Sequence, residues 1–495
     1  MAFSTLTFIC IFLPAMLAGY YILPKKVRNV WLLLGSLFFY GWNNPKYLPI
    51  LIISIAVNYF AGILIAKFAQ KDDAKKSAAG RSNAQKAVLG AALILNLASL
   101  VYFKYTTMIL ETLGDIKGNE AELPEIMLPI GISFFTFQSI AYIVDVYRME
   151  GSLDKEGKRV SIVERNFIDY ALYISMFPQL LEGPIERYPK MKAALKAPEL
   201  SVDKFAAGIE RFIIGLAKKA IIADTLGQTA DLIFGCDPAI MATSVSWLGA
   251  LLYTLQIYFD FSGYTDMALG LGKLFGFDFT ENFNYPYIST SITEFWRRWH
   301  ISLSSWFRDY LYIPLGGNRR GNVYINLLIV FLATGIWHGA AWGFLVWGLW
   351  HGAFMLIERY FKGRTLKHHL PVIFKWMYTM LAVTLGWVLF KIEDLEAAMD
   401  YFAVMFHTGT HTYNAFSLGY YTDKKLIFML IIAVLAAIPW AQILPRYPGV
   451  YIAQFNDTKT GALCVIRRVL LLVLFVTSLM FIVNSTYSPF IYFQF

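Results

Sequence analysis

VYINLLIVFLATGIWHGAAWGFLVWGLWHGAFMLI, residues 323–357, contains no Asp, Glu, Lys or Arg. Drawn as one α-helix at ~1.5 Å per residue it would run ~52 Å, well beyond the ~30 Å of hydrocarbon in a bilayer. A single crossing cannot use that length. The glycine-rich centre, Gly335-Ile336-Trp337-His338-Gly339-Ala340-Ala341-Trp342-Gly343, supplies a break. The stretch therefore reads as a hairpin of two apolar segments, near 322–337 and 340–357, with His338 at the outer end of both.

The rest of the chain follows the same pattern. Of 495 residues, 57% are hydrophobic, 17% aromatic and only 16% charged, against about a quarter charged in a soluble protein. A soluble fold would leave large apolar patches in water; a bilayer removes that cost. Further apolar spans lie near 4–23, 29–41, 47–66, 87–105, 126–146, 205–223, 243–260, 372–391, 425–444 and 466–486. The expected fold is an all-α polytopic membrane protein with about 11–12 transmembrane helices, each needing ~20 apolar residues. The segment 167–182 is short and ends at Gly183-Pro184; it reads as partial or re-entrant, which requires protein or a cavity to satisfy its backbone. Residues 4–23 lack the basic flank and the cleavage site of a signal peptide and read as a helix that stays.

The formal net charge is +9. The basic residues fall in short loops, where they set orientation, and not in the clusters that bind nucleic acid. Stretches 67–86 and 147–166 are basic, whereas 111–125 carries Glu111, Asp115, Glu120, Glu122 and Glu125 against Lys117. The alternation places both termini outside. Cys10, Cys236 and Cys464 have neither zinc nor disulfide spacing and read as small buried hydrophobes. No repeat divides the chain, so 1–495 reads as one membrane domain with a motif-rich core over about 130–352 and C-terminal helices over 360–495.

Histidine placement narrows the chemistry. Of seven histidines, His368, His369, His407 and His411 lie in polar loops and read as solvated surface. His338 sits in apolar sequence, where an ionisable side chain is costly; it is either a neutral, hydrogen-bonded structural group or a functional one. Imidazole can take a proton near neutral pH, which makes a hydroxyl nucleophilic as attack begins. His351 lies 13 residues further on, not at local metal-ligand spacing, and reads as structural.

His300 belongs to Glu294–Tyr310. As one helix, this segment gathers Trp296, Trp299, Leu303, Trp306 and Tyr310 into a stripe, with Arg297 and Arg308 beside it. It reads either as an interfacial anchor or as the edge of a cytoplasmic site whose arginines meet donor phosphates. Asp260 and Asp266 follow an apolar run and must find partners, as structural hydrogen-bonding groups or as groups that orient an imidazole. No Walker loop, G-x-S-x-G or metal cluster is present.

Several segments together resemble the membrane-bound O-acyltransferase family, and its bacterial alginate O-acetyltransferase branch above all, with teichoic-acid D-alanyl transfer proteins as more distant relatives. They are Gly131–Gln138 through Asp145–Arg148, Pro178-Gln179 with Gly183-Pro184-Ile185, Tyr258–Asp266, Asn282–Tyr287, Glu294–Asp309, Tyr312–Arg319, Trp337–Trp342 and Ser488–Phe493. The resemblance implies a helical ring around a thin central region with a funnel on each side. It implies His338 and His300 as catalytic positions; Arg297, Arg308, Trp299, Trp337, Asp260, Asp266 and Asn284 stand beside them as candidate binding or orienting residues. It also implies acetyl-CoA as donor substrate, no bound cofactor or metal, a polysaccharide acceptor, and an extracytoplasmic SGNH-type partner protein in bacteria. Glu182, before Gly183-Pro184, departs from the family pattern and with Glu186 makes that loop acidic. The competing readings are D-alanyl transfer to teichoic acid, a transporter of acyl donors or sugars, and a scaffold without catalysis.

Overall fold

The computed structural model describes all residues except 43–44, 72–80, 118–125, 153–159, 362–369, 408–415, 441–461, 486 and 488–495. His368, His369, His411 and the Ser488–Phe493 motif thus lie outside the described residues. Among the described residues every regular element is helical, and each expected span overlaps a helix. Four of these are long and apolar enough to cross a membrane: Pro45–Ala69, Asn83–Gly114, Val372–Lys391 and Cys464–Asn484. Phe8–Ile22 and Val323–His338 are shorter apolar helices. By length and apolarity alone, then, fewer helices qualify than the 11–12 expected. The others are shorter or carry charges, such as Lys218, Lys219, Asp260 and Asp266, whose hydropathy cost is met by pairing.

The chain forms two compact units, Met1–Ile209 with Ala268–Thr280, and Glu210–Met267 with Glu281–Phe495. In the first unit, helices Leu48–Lys71 and Asn83–Lys117 meet through a reciprocal amide pair: Asn58 donates to Asn96 at 3.1 Å and Asn96 donates back at 2.7 Å. Two buried amides inside apolar helices satisfy each other where water cannot. The segment expected to be partial is broken, as Phe167–Ser175 and Phe177–Leu180 around an extended Met176. Its freed backbone is met by protein. Ser36 accepts from the Phe177 N–H, and the Tyr173 carbonyl accepts from Gln138 and Gln179. Glu182 and Glu186 are buried, so they do not form an exposed acidic loop. Glu186 pairs with Lys190 and accepts from the Thr280 hydroxyl.

In the second unit the expected hairpin is present as Val323–His338 and Trp342–Tyr360. Asn322 caps the first helix by accepting from the Tyr324 N–H at 2.9 Å. The two helices cross with backbones nearly touching: a Cβ on Gly335 would lie 2.5 Å from the Phe344 carbonyl oxygen, and one on Gly348 would lie 2.5 Å from that of Phe331. Small residues permit this approach, the main source of helix attraction in lipid. Helix Val372–Lys391 packs beside the hairpin, with the Trp350 indole donating to the Ala382 carbonyl.

Buried charges tie together the other helices of this unit. A π-helical turn over Lys218–Ala223 widens the helix so that adjacent lysines reach different carboxylates. Lys219, 1% exposed, lies 2.7 Å from Asp224 and 2.7 Å from Asp260. Lys218 and Arg211 both hold Asp266, at 2.7 and 2.6 Å. The partners required of Asp260 and Asp266 are therefore cations. The close crossing depends on glycine: a Cβ on Gly215 would stand 2.5 Å from the Gly263 carbonyl oxygen.

The cysteines depart from expectation, since none is buried: Cys10 is exposed, and Cys236 and Cys464 are intermediate. Cys10 and Cys464 lie on apolar helices, where lipid is itself apolar, whereas Cys236 follows the helix end at Phe234 and its Sγ lies 3.3 Å from the Leu232 carbonyl and 3.0 Å from the Tyr421 hydroxyl.

Lys219→Met should destabilise the protein by about 3–5 kcal/mol, because two carboxylates lose their shared cation. The thermal midpoint in detergent measures this. An unchanged midpoint would mean that Lys219 does not hold these carboxylates together.

Candidate functional site

Segment 294–310 is not one continuous helix. It forms Ile292–Arg298 and Ile301–Phe307, followed by a π-helical turn over Arg308–Tyr312. The break falls at His300, whose backbone is left-handed with φ 44°. A non-glycine residue holds that conformation only when its surroundings fix it. Segment 282–284 does so here. The Asn284 N–H donates to the Arg298 carbonyl and the Ile301 N–H to the Asn282 carbonyl, both at 3.0 Å. The Asn282 side-chain oxygen accepts the Ser302 N–H at 3.0 Å and lies 3.1 Å from His300 Nδ1.

The break changes the face that periodicity assigned. Trp296, Trp299 and Trp306 do not form a membrane-interface stripe; all three are buried. Trp299 packs at a tilt 4.7 Å from Trp387 and stacks 5.6 Å from Phe295. The helix Ile292–Arg298 is held from the hairpin by Glu358, which accepts the Ile292 and Thr293 N–H groups at 2.5 and 3.0 Å. Its carboxylate satisfies orphan donors at a positive helix end.

Three histidines share one aromatic cluster. His300 packs 4.8 Å from Phe261 and 6.1 Å from Trp337. His338 lies 4.9 Å from Trp337, 4.8 Å from Trp347 and 5.1 Å from Phe390. His351 lies 5.2 Å from both Trp347 and Trp296. The indoles of Trp337 and Trp347 thus link the three imidazoles in sequence. His300, His338 and His351 are 1%, 4% and 0% exposed. Burial pushes the His300 imidazole, which lies outside the apolar spans, down to about 3, so this ring is neutral at physiological pH.

Beside the cluster is a cavity of about 710 Å³. Arg297, Arg308, Arg359 and Glu358 line it together with Tyr312, Asn318, Ser304, Ser305 and Thr334, and Trp296 and Phe331 are among its apolar lining. Arg297 and Arg308 therefore meet at one space, although not through the helix face first expected. Arg308 is also paired with Asp309 at 2.8 Å. His338 and His300 do not line the cavity; Thr334 does, one helical turn before His338 and on the same helix face. Such a cavity accommodates an anion at its arginines and a short apolar group near Trp296 and Phe331.

The other candidates sit elsewhere. Asn284 is exposed and bonds through its backbone. Asp260 and Asp266 belong to the lysine and arginine pairs already described. His407 is exposed. Among the described residues no group of three His, Cys, Asp or Glu side chains could hold a metal. Asn282 and Glu358 were not singled out from sequence. Asn282 opens the quoted Asn282–Tyr287 motif, and Glu358 is the first charge after the uncharged run, so each left a faint signal.

Comparison with known proteins follows this geometry. The family model described as "MBOAT, membrane-bound O-acyltransferase family" matches residues 37–392. The chain is 38% identical to the protein named Probable alginate O-acetylase AlgI of Azotobacter vinelandii, covering 100% of both chains. It is 40% identical to the Peptidoglycan O-acetyltransferase of Helicobacter pylori over 80% of this chain and 78% of that one. The Teichoic acid D-alanyltransferase of Bacillus subtilis is 34% identical over 43% of this chain and 54% of its own.

The folded state holds His300 near pKa 3, whereas an unfolded histidine takes a proton near about 6.5. The unfolded chain then binds more protons between these values. The stability contribution is complete above about pH 6.5 and is lost as pH falls toward 3. His300→Gln should therefore lose less thermal stability than wild type between about pH 6.5 and 4. Parallel loss in both proteins would count against a buried, neutral His300.

Proposed function

The chain belongs to the membrane-bound O-acyltransferase family, and from that premise we propose that it transfers acetyl groups from a cytoplasmic thioester to the hydroxyls of an extracytoplasmic polysaccharide. It is a multi-pass membrane enzyme of the O-acyltransferase class. The full-length alginate O-acetylase relatives and the peptidoglycan O-acetyltransferase relative support acetyl as the group and a polysaccharide of the cell surface or wall as acceptor. D-Alanyl transfer rests on relatives that cover less than half of this chain.

The observation that carries the reading is the arginine-lined cavity whose lining includes Thr334, one turn from the buried His338. In this reading acetyl-CoA is the donor. Its phosphates meet Arg297 and Arg308, and its thioester points toward Trp296 and Phe331. His338 takes the proton of the attacking hydroxyl as the new C–O bond forms; the C–S bond breaks, and the imidazolium returns its proton to the leaving thiolate. Trp337, Trp347 and Phe390 pack around the ring and exclude water from it. Holding donor and acceptor from opposite sides makes the reaction effectively intramolecular. An SGNH-type partner outside a bacterial plasma membrane would accept or complete delivery to the polysaccharide.

Purified protein in lipid nanodiscs with labelled acetyl-CoA tests the proposal. His338→Ala should abolish acetyl transfer while the protein remains folded and assembled. Persistent transfer would favour a scaffold that recruits another enzyme. Separately, Arg297→Gln and Arg308→Gln should each raise KM for acetyl-CoA about tenfold, the worth of one charge-assisted hydrogen bond of ~1.4 kcal/mol, with kcat within about threefold. A normal KM in both variants would remove these arginines from donor binding.

A further inference from the structure

We infer that Asn282 is a positioning residue for this reaction: its side-chain oxygen fixes His300 as the Nδ1–H tautomer and thereby makes Nε2 the lone-pair nitrogen. The consequence for catalysis rests on the acyltransferase reading above, with His300 as a second imidazole that assists His338; the tautomer itself does not.

The argument begins with a donor that has no choice. The Ser302 N–H points at Asn282 Oδ1 at 3.0 Å. A backbone N–H can only donate, so the atom facing it is the amide oxygen and not the amide nitrogen. That settles an orientation otherwise assigned by inference. The same oxygen lies 3.1 Å from His300 Nδ1. An amide oxygen can only accept, with two lone pairs for two donors. His300 Nδ1 therefore carries hydrogen, and a neutral imidazole carries only one.

Asn282 is built for this task. It is fully buried, and its backbone carbonyl also receives the Ile301 N–H at 3.0 Å. It thus bonds His300 and both following residues, bracketing the left-handed turn at φ 44°. Ring and backbone are held by one side chain and one carbonyl, which leaves the imidazole little freedom to rotate or exchange tautomers. The pattern matches that of a catalytic or ligating imidazole whose other nitrogen is fixed by an oxygen acceptor. A base with the wrong tautomer has its hydrogen where its lone pair is needed.

Two variants separate this role from simple packing. Asn282→Leu keeps the volume but removes the acceptor; Asn282→Asp keeps an acceptor oxygen. For the leucine variant we expect kcat to fall at least tenfold with KM for acetyl-CoA within threefold. The aspartate variant should recover most of the rate. Wild-type rates in Asn282→Leu, or no recovery in a folded Asn282→Asp, would overturn the positioning role. The tautomer is read directly in 15N-histidine-labelled protein by nitrogen NMR, as the difference between wild type and His300→Gln. Hydrogen on Nδ1 is expected in wild type; hydrogen on Nε2 overturns the assignment, even should Asn282→Leu fail to fold. Absence of acetyl transfer in wild type would sink the functional reading instead, while the spectrum still decides the tautomer.

Discussion

A polar group inside a bilayer has no water to fall back on, so each must be satisfied by the protein itself. Lys219 shows how this constraint shapes the fold. One ammonium is shared by Asp224 and Asp260 while its neighbour Lys218 joins Arg211 at Asp266. Adjacent residues on a regular helix diverge by ~100°, and the π-helical turn at Lys218–Ala223 opens the helix where both must be served. Glycine at 215 and 263 lets the backbones come close enough for these pairs to form. The charges, the turn and the small residues are thus three parts of one solution. The Asn58–Asn96 amides in the other unit solve the same problem without charge.

The histidines obey the constraint in another way. Indole and phenyl rings pack around them. Aromatic walls exclude water, and a dry imidazole is cheaper neutral than protonated. For His300, outside the apolar spans, this burial keeps the ring neutral at physiological pH. His351 fits the structural alternative: it fills space between Trp296, Trp347 and the glycine at 386, against which its ring packs.

The arginine-lined cavity and the histidine cluster meet through the short helix Ile292–Arg298. Glu358 anchors that helix at its N-terminus. Trp296 then lines the cavity and touches His351, while Arg297 extends to the cavity's polar part. A carboxylate that itself lines the cavity thereby sets where a cation and an aromatic ring stand. Its location just after an uncharged hairpin follows from the same principle as Lys219: it is buried only because backbone donors receive it.

The sequence by itself determined the helical, membrane-embedded class, the approximate spans, the hairpin at 323–357 and the family, because apolar length and long ordered motifs are local properties. It also marked His338, since an ionisable residue in uncharged sequence is visible without coordinates. Periodicity failed at 294–310, where a regular helix would put Trp299 and Arg297 on the faces first assigned. The break at His300 is imposed by Asn282, eighteen residues earlier in the chain, and no local propensity announces it. Which lysine meets which aspartate, which arginines share a cavity and which nitrogen of His300 bears hydrogen were likewise decided only in three dimensions. Those outcomes depend on the direction of a few side chains across long sequence separations, and a hydrogen bond exists only when both ends arrive.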